Sequence, residues 1–158
     1  MAYRETSPPS TMQLQDAQPT APRVSRELRV RFSQFDLSRS KSGQTTAAVT
    51  LDLDGKKHVG HSSGPSSALG DLRISAEACL KALSAFAGPI SFELMAVKHI
   101  RAFDSNLAIV SITHQQDGQS FPLVGVYLAK DDVCRGAAIA VLNATNRVLG
   151  ISTLRSED

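Results

Sequence analysis

The chain has 158 residues, of which 42% are hydrophobic and 20% are charged, a composition that is ordinary for one folded domain with its own core. Its formal net charge is only +2, and the Lys and Arg residues are scattered rather than gathered into a basic stripe that could follow nucleic-acid phosphates. We therefore expect no nucleic-acid partner, and no membrane span either, because no apolar run approaches the ~18 residues that a spanning helix requires.

The N-terminal segment differs in composition from the rest of the chain. Four of the seven prolines fall within residues 1–26, among Ser, Thr and Gln residues and with almost no periodic apolar positions. Such a segment buries too little apolar surface to offset the entropy of ordering it, which predicts a disordered tail. A plain leader is the favoured interpretation and a docking motif is the alternative. The segment lacks the charged-then-apolar pattern of a secretion signal.

The first half of the remaining chain predicts three antiparallel strands. Alternating apolar residues over positions 28–32 indicate a strand with one buried face, and a change of phase near Phe35 indicates a bulge or bend. A second alternation covers positions 47–53, and Asp54-Gly55 joins it to a strand over positions 57–61. Asp-Gly between alternating segments is a strong hairpin signal, because both central turn residues need positive φ.

A glycine- and serine-rich stretch, Gly60 to Gly70, then leads to an amphipathic segment with helical spacing. We predict a loop over that stretch and a helix from about Asp71 to Phe86, capped by Asp71 or Gly70 and ended by Gly88.

The second half repeats this order. Strands are predicted over positions 92–100, 107–112 and 121–128, followed by a helix from Val133 to Leu149. Asp131 and Asp132 are placed to cap this helix at its start, and Gly150 ends it. Residues 151–158 are expected to fray.

The repetition extends to individual positions. Asp54-Gly55 matches Asp117-Gly118, and Gly88 matches Gly150 at a separation that differs by a single position. A self-match at a fixed period indicates a duplicated unit, and two copies are too few for a solenoid. The sequence therefore predicts an α+β fold of two tandem βββα repeats, residues 27–88 and 89–150, in which antiparallel sheets pack with two helices in a single domain.

Three stretches of this pattern carry a family resemblance: Gln44 to Gly55, Gly60 to Ala68, and Ala140 to Gly150. With the duplicated strand and helix order, they make the chain resemble the C-terminal regulatory, or dimerisation, domain of 2-isopropylmalate synthase and citramalate synthase. The resemblance covers Leu28 to Gly150. It implies a domain without catalysis that pairs with a second copy and binds leucine or isoleucine near the loops between the third strand and the helix of each repeat.

The sequence also departs from the family pattern. The family crossing has Gly-x-Gly-x-Gly-Pro followed by a start of helix like Val-Asp-Ala, whereas Ser66 and Ser67 follow Pro65 here, with added residues expected before the helix. The second crossing has one glycine, Gly125. The catalytic barrel of these enzymes and its metal-binding histidines have no counterpart in the sequence, so the resemblance implies a detached regulatory module.

The strand-to-helix crossings are the candidate ligand site. Glycines allow a backbone to approach a ligand closely, and free N–H groups at the start of a helix favour a carboxylate such as that of an amino acid. A plain connection whose serines solvate its backbone is the alternative. The residues predicted to contact a ligand are Gly60, Ser62, Ser63, Gly64, Pro65 and Ser66 in the first repeat, and Gly125, Asp131 and Asp132 in the second.

Other reactive residues give no site. His58 and His61 lie three apart on a strand and therefore point to opposite faces, so they cannot share a metal ion there. Cys79 and Cys134 fall on the predicted helices and are interpreted as buried free thiols, which favours a reducing cytoplasm. The sequence contains no nucleophile elbow, phosphate loop or dinucleotide fingerprint, so neither an enzyme nor a cofactor is expected.

Two functional hypotheses follow. The first is a non-catalytic regulatory module that forms a homodimer and binds a small metabolite, by resemblance a branched-chain amino acid. Alanine-rich helix faces allow close packing against the sheet or a second subunit, and two-fold pairing is the commonest oligomer. The second is a structural or protein-interaction module that has kept the fold and lost the effector, using residues 1–26 to reach a larger protein partner.

Overall fold

The computed structural model describes residues 30–85, 87–88 and 90–150. Its elements follow one another in the order strand, strand, strand, helix, and this order occurs twice. The predictions for residues 1–26 and 151–158 fall outside the described residues. The elements are β1 (Val30–Arg39), β2 (Gln44–Leu53), β3 (Lys56–Pro65), α1 (Ala68–Ser84), β4 (Ser91–Ala102), β5 (Ser105–Gln116), β6 (Gln119–Ala129) and α2 (Val133–Leu149).

The six strands form two separate antiparallel sheets, with the orders β1-β2-β3 and β4-β5-β6. The two-residue turns Asp54-Gly55 and Asp117-Gly118 join the second and third strands of each sheet, and all four residues have positive φ. Each sheet adjoins the helix that follows it in sequence. The predicted α+β class and the tandem βββα repeats are therefore confirmed.

Each first strand contains one irregularity in its pairing. The register shifts between Phe32 and Gln34 in β1 and between Leu94 and Ala96 in β4, which are corresponding positions of the two repeats. The bulge predicted near Phe35 thus lies slightly closer to the N-terminus, and it recurs in the second repeat. A bulge bends a strand and increases its twist, so both sheets curve at equivalent points.

The two hairpins differ in length, which corrects the uniform period expected from the sequence. Val49 pairs with Gly60, and Val110 pairs with Gly125. Both glycines lie against equivalent backbone atoms of the adjacent helix, so Gly60 corresponds to Gly125 and Val49 corresponds to Val110. The second hairpin therefore has longer arms on both sides of its Asp-Gly turn, and matching the two turns in sequence misaligned the strands that flank them.

Helix α1 begins earlier than predicted. It starts at Ala68, where Ser67 is the N-cap and its side chain accepts a hydrogen bond from the Gly70 amide at 2.8 Å, so neither Asp71 nor Gly70 is the cap. The described helix ends at Ser84, and the predicted end at Phe86 falls outside the described residues. Serine and aspartate have similar preferences for the N-cap position, so these preferences do not show which of several neighbouring residues caps the helix.

Helix α2 agrees with its prediction. Asp132 is the N-cap and accepts from the Arg135 amide at 3.0 Å, and Gly150 ends the helix in the left-handed conformation with φ 62°. Asp131 precedes the cap and is exposed.

One hydrophobic cluster contains residues from both repeats, so the two units share a core. The helices pack against each other, and α1 also contacts β4. Two contacts cross between the repeats in a reciprocal way. Arg73 of α1 donates to the Leu94 carbonyl of β4 at 3.3 Å, and the Arg135 guanidinium of α2 lies 5.3 Å from the centre of the Phe32 ring of β1. Arg73 corresponds to Arg135 and Phe32 corresponds to Leu94, which indicates an approximate two-fold relation between the repeats.

Within the described ranges, no helix combines the length and the apolar character needed to cross a membrane.

Candidate functional site

The predicted ligand loop of the first repeat is mostly strand. Residues 60–65 belong to β3, which remains paired with β2 as far as Gln44 opposite Pro65. Only Ser66 and Ser67 connect β3 to α1. The prediction of a loop over Gly60 to Gly70, with added residues before the helix, is therefore wrong. The neighbouring strand β2 satisfies the backbone hydrogen bonds of this segment, and the alternating burial of its side chains outweighs the preference of glycine and serine for turns.

Gly60 is accounted for by helix packing. A Cβ built at Gly60 would lie 2.0 Å from the Ala78 carbonyl oxygen and 2.4 Å from the Ala82 nitrogen, both in the backbone of α1. Gly125 has the same relation to α2, where a Cβ would lie 1.9 Å from the Ala140 oxygen. The close approach that these glycines permit is thus made by a helix of the same chain in each repeat.

The serines of β3 and its junction differ in environment. The buried Ser62 donates to Glu77 at 3.0 Å, whereas Ser63 is exposed on the opposite face of the strand. Ser66 is half-buried, and its hydroxyl lies 2.6 Å from that of Thr45. Gly64 lies beside Ile74, whose Cδ1 would be 3.3 Å from an added Cβ.

The structure places the predicted residues on different elements of the two repeats. Gly60 to Ser66 lie along β3 and at the start of α1. Gly125 lies on β6, while Asp131 and Asp132 precede α2. The charge of Asp132 acts on Arg39 of β1, so the start of α2 adjoins the end of the first sheet.

Sequence reasoning missed a buried polar cluster at this junction. Asp71 is 4% exposed, and its Oδ2 accepts from Arg39 Nε at 2.8 Å and Nη2 at 2.7 Å. Its Oδ1 accepts from the Thr45 hydroxyl at 2.7 Å. Since that hydroxyl has only one proton, Ser66 donates to Thr45 in turn. The cluster links β1, β2 and α1 around one carboxylate.

The electrostatics of the cluster keep the carboxylate ionised. Burial by itself raises the pKa of Asp71, but hydrogen bonds from Thr45 and Arg39, together with the positive charge of Arg39, outweigh it and lower the pKa below its ordinary value of 3.8. A backbone hydrogen bond from Ser67 acts in the same direction. A carboxylate that is already satisfied on both oxygens is suited to holding three elements together, and it is a weak base.

A pattern in the sequence could have pointed to this cluster. Thr45 occupies the same alternating, inward positions as Ala47, Val49 and Leu51, and all four side chains are completely buried. Asp71 has helical spacing from the buried residues Ile74 and Ser75. Polar residues on two predicted core faces require partners, and each was a potential partner for the other.

The outward surface of the second sheet contains a group of large apolar residues. Residues that pair across antiparallel strands share a face, and Ala108, Val110 and Ile112 of β5 point inward to the helices. The opposite side carries polar residues, among them Glu93, Lys98, Ser111 and Thr113, together with a group of large apolar residues. We call this group the outer apolar face, and it comprises Ile100 of β4, Leu107 and Ile109 of β5, and Val124, Val126 and Leu128 of β6.

The first sheet has a polar surface at the equivalent positions. Thr46 and Ala48 of β2 correspond to Leu107 and Ile109, and Ser63 of β3 corresponds to Leu128. The positions of this polar surface are Arg31, Gln34, Asp36 and Ser38 on β1, Thr46, Ala48, Thr50 and Asp52 on β2, and Lys57, Val59, His61 and Ser63 on β3. The duplicated units therefore share inward chemistry and differ on their outward surfaces.

The described residues contain no group of three or more His, Cys, Asp or Glu side chains that could hold a metal ion. His58 pairs with the inward Leu51, and His61 pairs with the outward Ala48. The two histidines consequently lie on opposite faces of β3.

Compared with protein-family models and with curated proteins, the sequence matches none of them. The resemblance to the synthase regulatory domain therefore depends on the motifs quoted above and on the repeated βββα order.

Proposed function

We propose that the chain is a non-catalytic regulatory module that pairs with a second copy of itself through the outer apolar face. This face is the observation that carries the proposal. Antiparallel sheets with one face against a core normally present polar side chains to water on the other, as the first sheet does here. Val124 is 65% exposed and Leu128 is 53% exposed on the same strand. Contiguous apolar surface of this kind marks an interaction site.

The size of the whole outward surface of the second sheet suits a second copy. Three strands spaced by ~4.8 Å, each of 11 or 12 residues rising ~3.3 Å, present about 500 Å² per copy, of which the outer apolar face is the part toward the β4–β5 turn. Two copies packed face to face would bury about 1,000 Å², which is the lower limit for a specific interface, and side-chain relief increases this area. A self-complementary face suits two-fold pairing, which produces a closed dimer.

The regulatory part of the proposal comes from the resemblance to the synthase domain, in which a branched-chain amino acid binds at the strand-to-helix crossings. In this chain those crossings are the segment around Ser66 and the segment from Lys130 to Asp132, since Gly125 lies within β6. Both thiols are free and buried, which suits a reducing compartment such as the cytoplasm.

A second function, an interaction module that has lost its effector, is favoured by one specific observation. The hydroxyl groups of Ser62 and Ser66 and the carboxylate of Asp71 already have partners within the chain, so a ligand carboxylate at this junction would have to compete with them.

The dimer is tested by a matched pair of variants. Val59 and Val124 occupy equivalent positions on the third strands and are 52% and 65% exposed, but only Val124 lies on the outer apolar face. Val124→Lys would bury an unpaired ammonium in the interface, at a cost of about 3 kcal/mol, and should weaken dimerisation roughly a hundredfold. Val59→Lys should leave it unchanged. Sedimentation velocity over a wide concentration range measures both, and a wild-type protein that stays monomeric throughout would refute the dimer.

The effector is tested separately by thermal shift with leucine and isoleucine. A ligand that binds only the folded state raises the melting temperature by mass action. A dimer whose melting temperature responds to no amino acid would favour the interaction module.

A further inference from the structure

The turn between β4 and β5 contains an unusual residue. It consists of Phe103 and Asp104, with φ values of 52° and 56°. Two-residue turns with positive φ at both positions favour Asn, Asp and Gly, and a bulky side chain at the first position is strained. The other two-residue turns of this chain, Asp54-Gly55 and Asp117-Gly118, use the favoured residues. Phe103 is therefore the exception within its own fold.

The Phe103 side chain does not stabilise the fold by burial. It is 95% exposed, the highest value among the exposed large hydrophobic residues of the described chain. A bulky side chain in this conformation strains the backbone, and because it removes almost no apolar surface from water, burial does not offset the strain in the isolated chain. An exposed aromatic ring at a turn is suited to contact another molecule, because large aromatic residues are frequent anchors of interfaces.

The outward surface of the second sheet becomes more apolar toward this turn. The three-stranded row nearest to Phe103 consists of Ile100, Leu107 and Leu128, all of them hydrophobic. The row at the far end consists of Ser91, Gln115 and Ser120. Phe103 thus extends the apolar end of the face that the proposed function assigns to dimerisation.

This gradient restricts the orientation of two copies. When the two sheets overlap along their full length, apolar rows meet apolar rows if the two-fold axis runs along the strands, because an axis across the strands would place Ile100 and Leu107 over the polar end of the partner. An axis along the strands places β4 of one copy over β6 of the other. It also brings the Phe103 turn close to the partner's Leu128.

We infer that Phe103 is an anchor of the homodimer, held at the β4–β5 turn so that its ring packs on the partner's β6 near the partner's Leu128. The inference rests on the proposed function. It adds the orientation of the two copies and the residue that anchors the apolar end of their interface. The partner is a second copy of the chain because the ring lies at the apolar end of the second sheet's outward surface. Two such surfaces can bury enough area for a dimer, and their apolar ends can face each other.

The experiment compares Phe103→Asn with Phe103→Tyr. Asparagine removes the ring and suits the turn, so the dimer dissociation constant should rise at least about tenfold. In the monomeric Val124→Lys background, the same change should raise the melting temperature, because it relieves strain. Tyrosine keeps the ring and should retain a dissociation constant close to that of the wild type.

The control is Leu69→Asn on α1, a change at another exposed hydrophobic residue, 61% accessible and outside the outer apolar face, which should leave dimerisation unchanged. If Phe103→Asn dimerises as the wild type does while Val124→Lys dissociates, the anchor is refuted and the proposed dimer stands. If the wild type does not self-associate at any concentration, both are refuted.

Discussion

The contact between β6 and α2 gives the sharpest prediction of stability. At Gly125 an added Cβ would lie 1.9 Å from the Ala140 oxygen and 2.8 Å from the nitrogen and Cβ of Ala144. Real Cβ contacts are almost never shorter than 3.0 Å, so Gly125→Ala requires the strand and the helix to separate by about 1.1 Å, the difference between 3.0 and 1.9 Å. The obstructing atoms include helix backbone, which cannot rotate away as a side chain does.

The expected cost follows from two opposing effects. Overpacking a core costs about 1–3 kcal/mol, and the rigid backbone places this site at the upper end. Replacing glycine also reduces the entropy of the unfolded chain, which returns about 0.4–1 kcal/mol. We expect a net loss of about 2–3 kcal/mol and a decrease in melting temperature of roughly 10 °C.

The assay is urea denaturation followed by circular dichroism, with Val124→Lys as the background so that dimerisation does not contribute. Gly60→Ala should behave like Gly125→Ala, because its Cβ would lie 2.0 Å from the Ala78 oxygen. Gly64→Ala is the control, since its Cβ would meet only the flexible end of a side chain at 3.3 Å. Alanine at residue 125 with wild-type stability would refute the assigned helix contact and leave ligand approach as the reason for this glycine.

Three further predictions concern the first repeat and the thiols. The pKa of Asp71 is lowered in the folded chain, so the carboxylate contributes stability at pH values above its ordinary pKa of 3.8, and this contribution is lost as the pH falls through the folded-state pKa. Asp71→Asn should therefore reduce the loss of unfolding free energy at acid pH, as measured by urea titrations at several pH values. Ser67→Ala removes the N-cap of α1 and should cost about 1 kcal/mol of unfolding free energy, whereas an unchanged midpoint would contradict the cap. Burial raises the pKa of both Cys79 and Cys134, so neither thiol should react with a thiol reagent until denaturant is added.

The predictable part of the fold was the part that local chemistry determines. Asp-Gly between alternating segments identified both second hairpins, and Gly150 identified the end of α2. The predicted start of α1 is too late because Ser67, Gly70 and Asp71 can all cap a helix, and the sequence does not show how far β3 continues. Strand pairing decided that question, and pairing is a tertiary property.

The candidate site was less predictable for a related reason. The sequence predicts ligand contact for Gly60 and Gly125, since the helix backbone that requires them to be glycine is distant in sequence. Asp71 read as a cap because its partners, Arg39 and Thr45, belong to other strands. A residue type indicates what a position tolerates, whereas its role depends on which element is packed against it.

The comparison of the two repeats within one molecule supports an interface more directly than exposure does. Both units place small and aliphatic residues on their inward faces, because both must cover the shared core. Their outward surfaces have the same strand order and equivalent backbone positions, so the fold alone would allow both to be polar. Instead Thr46 corresponds to Leu107 and Ser63 corresponds to Leu128, changes that point toward an apolar surface on one side of the molecule only. Neither the shared core nor the secondary structure requires this difference, and an interface on the second sheet, as proposed, would account for it.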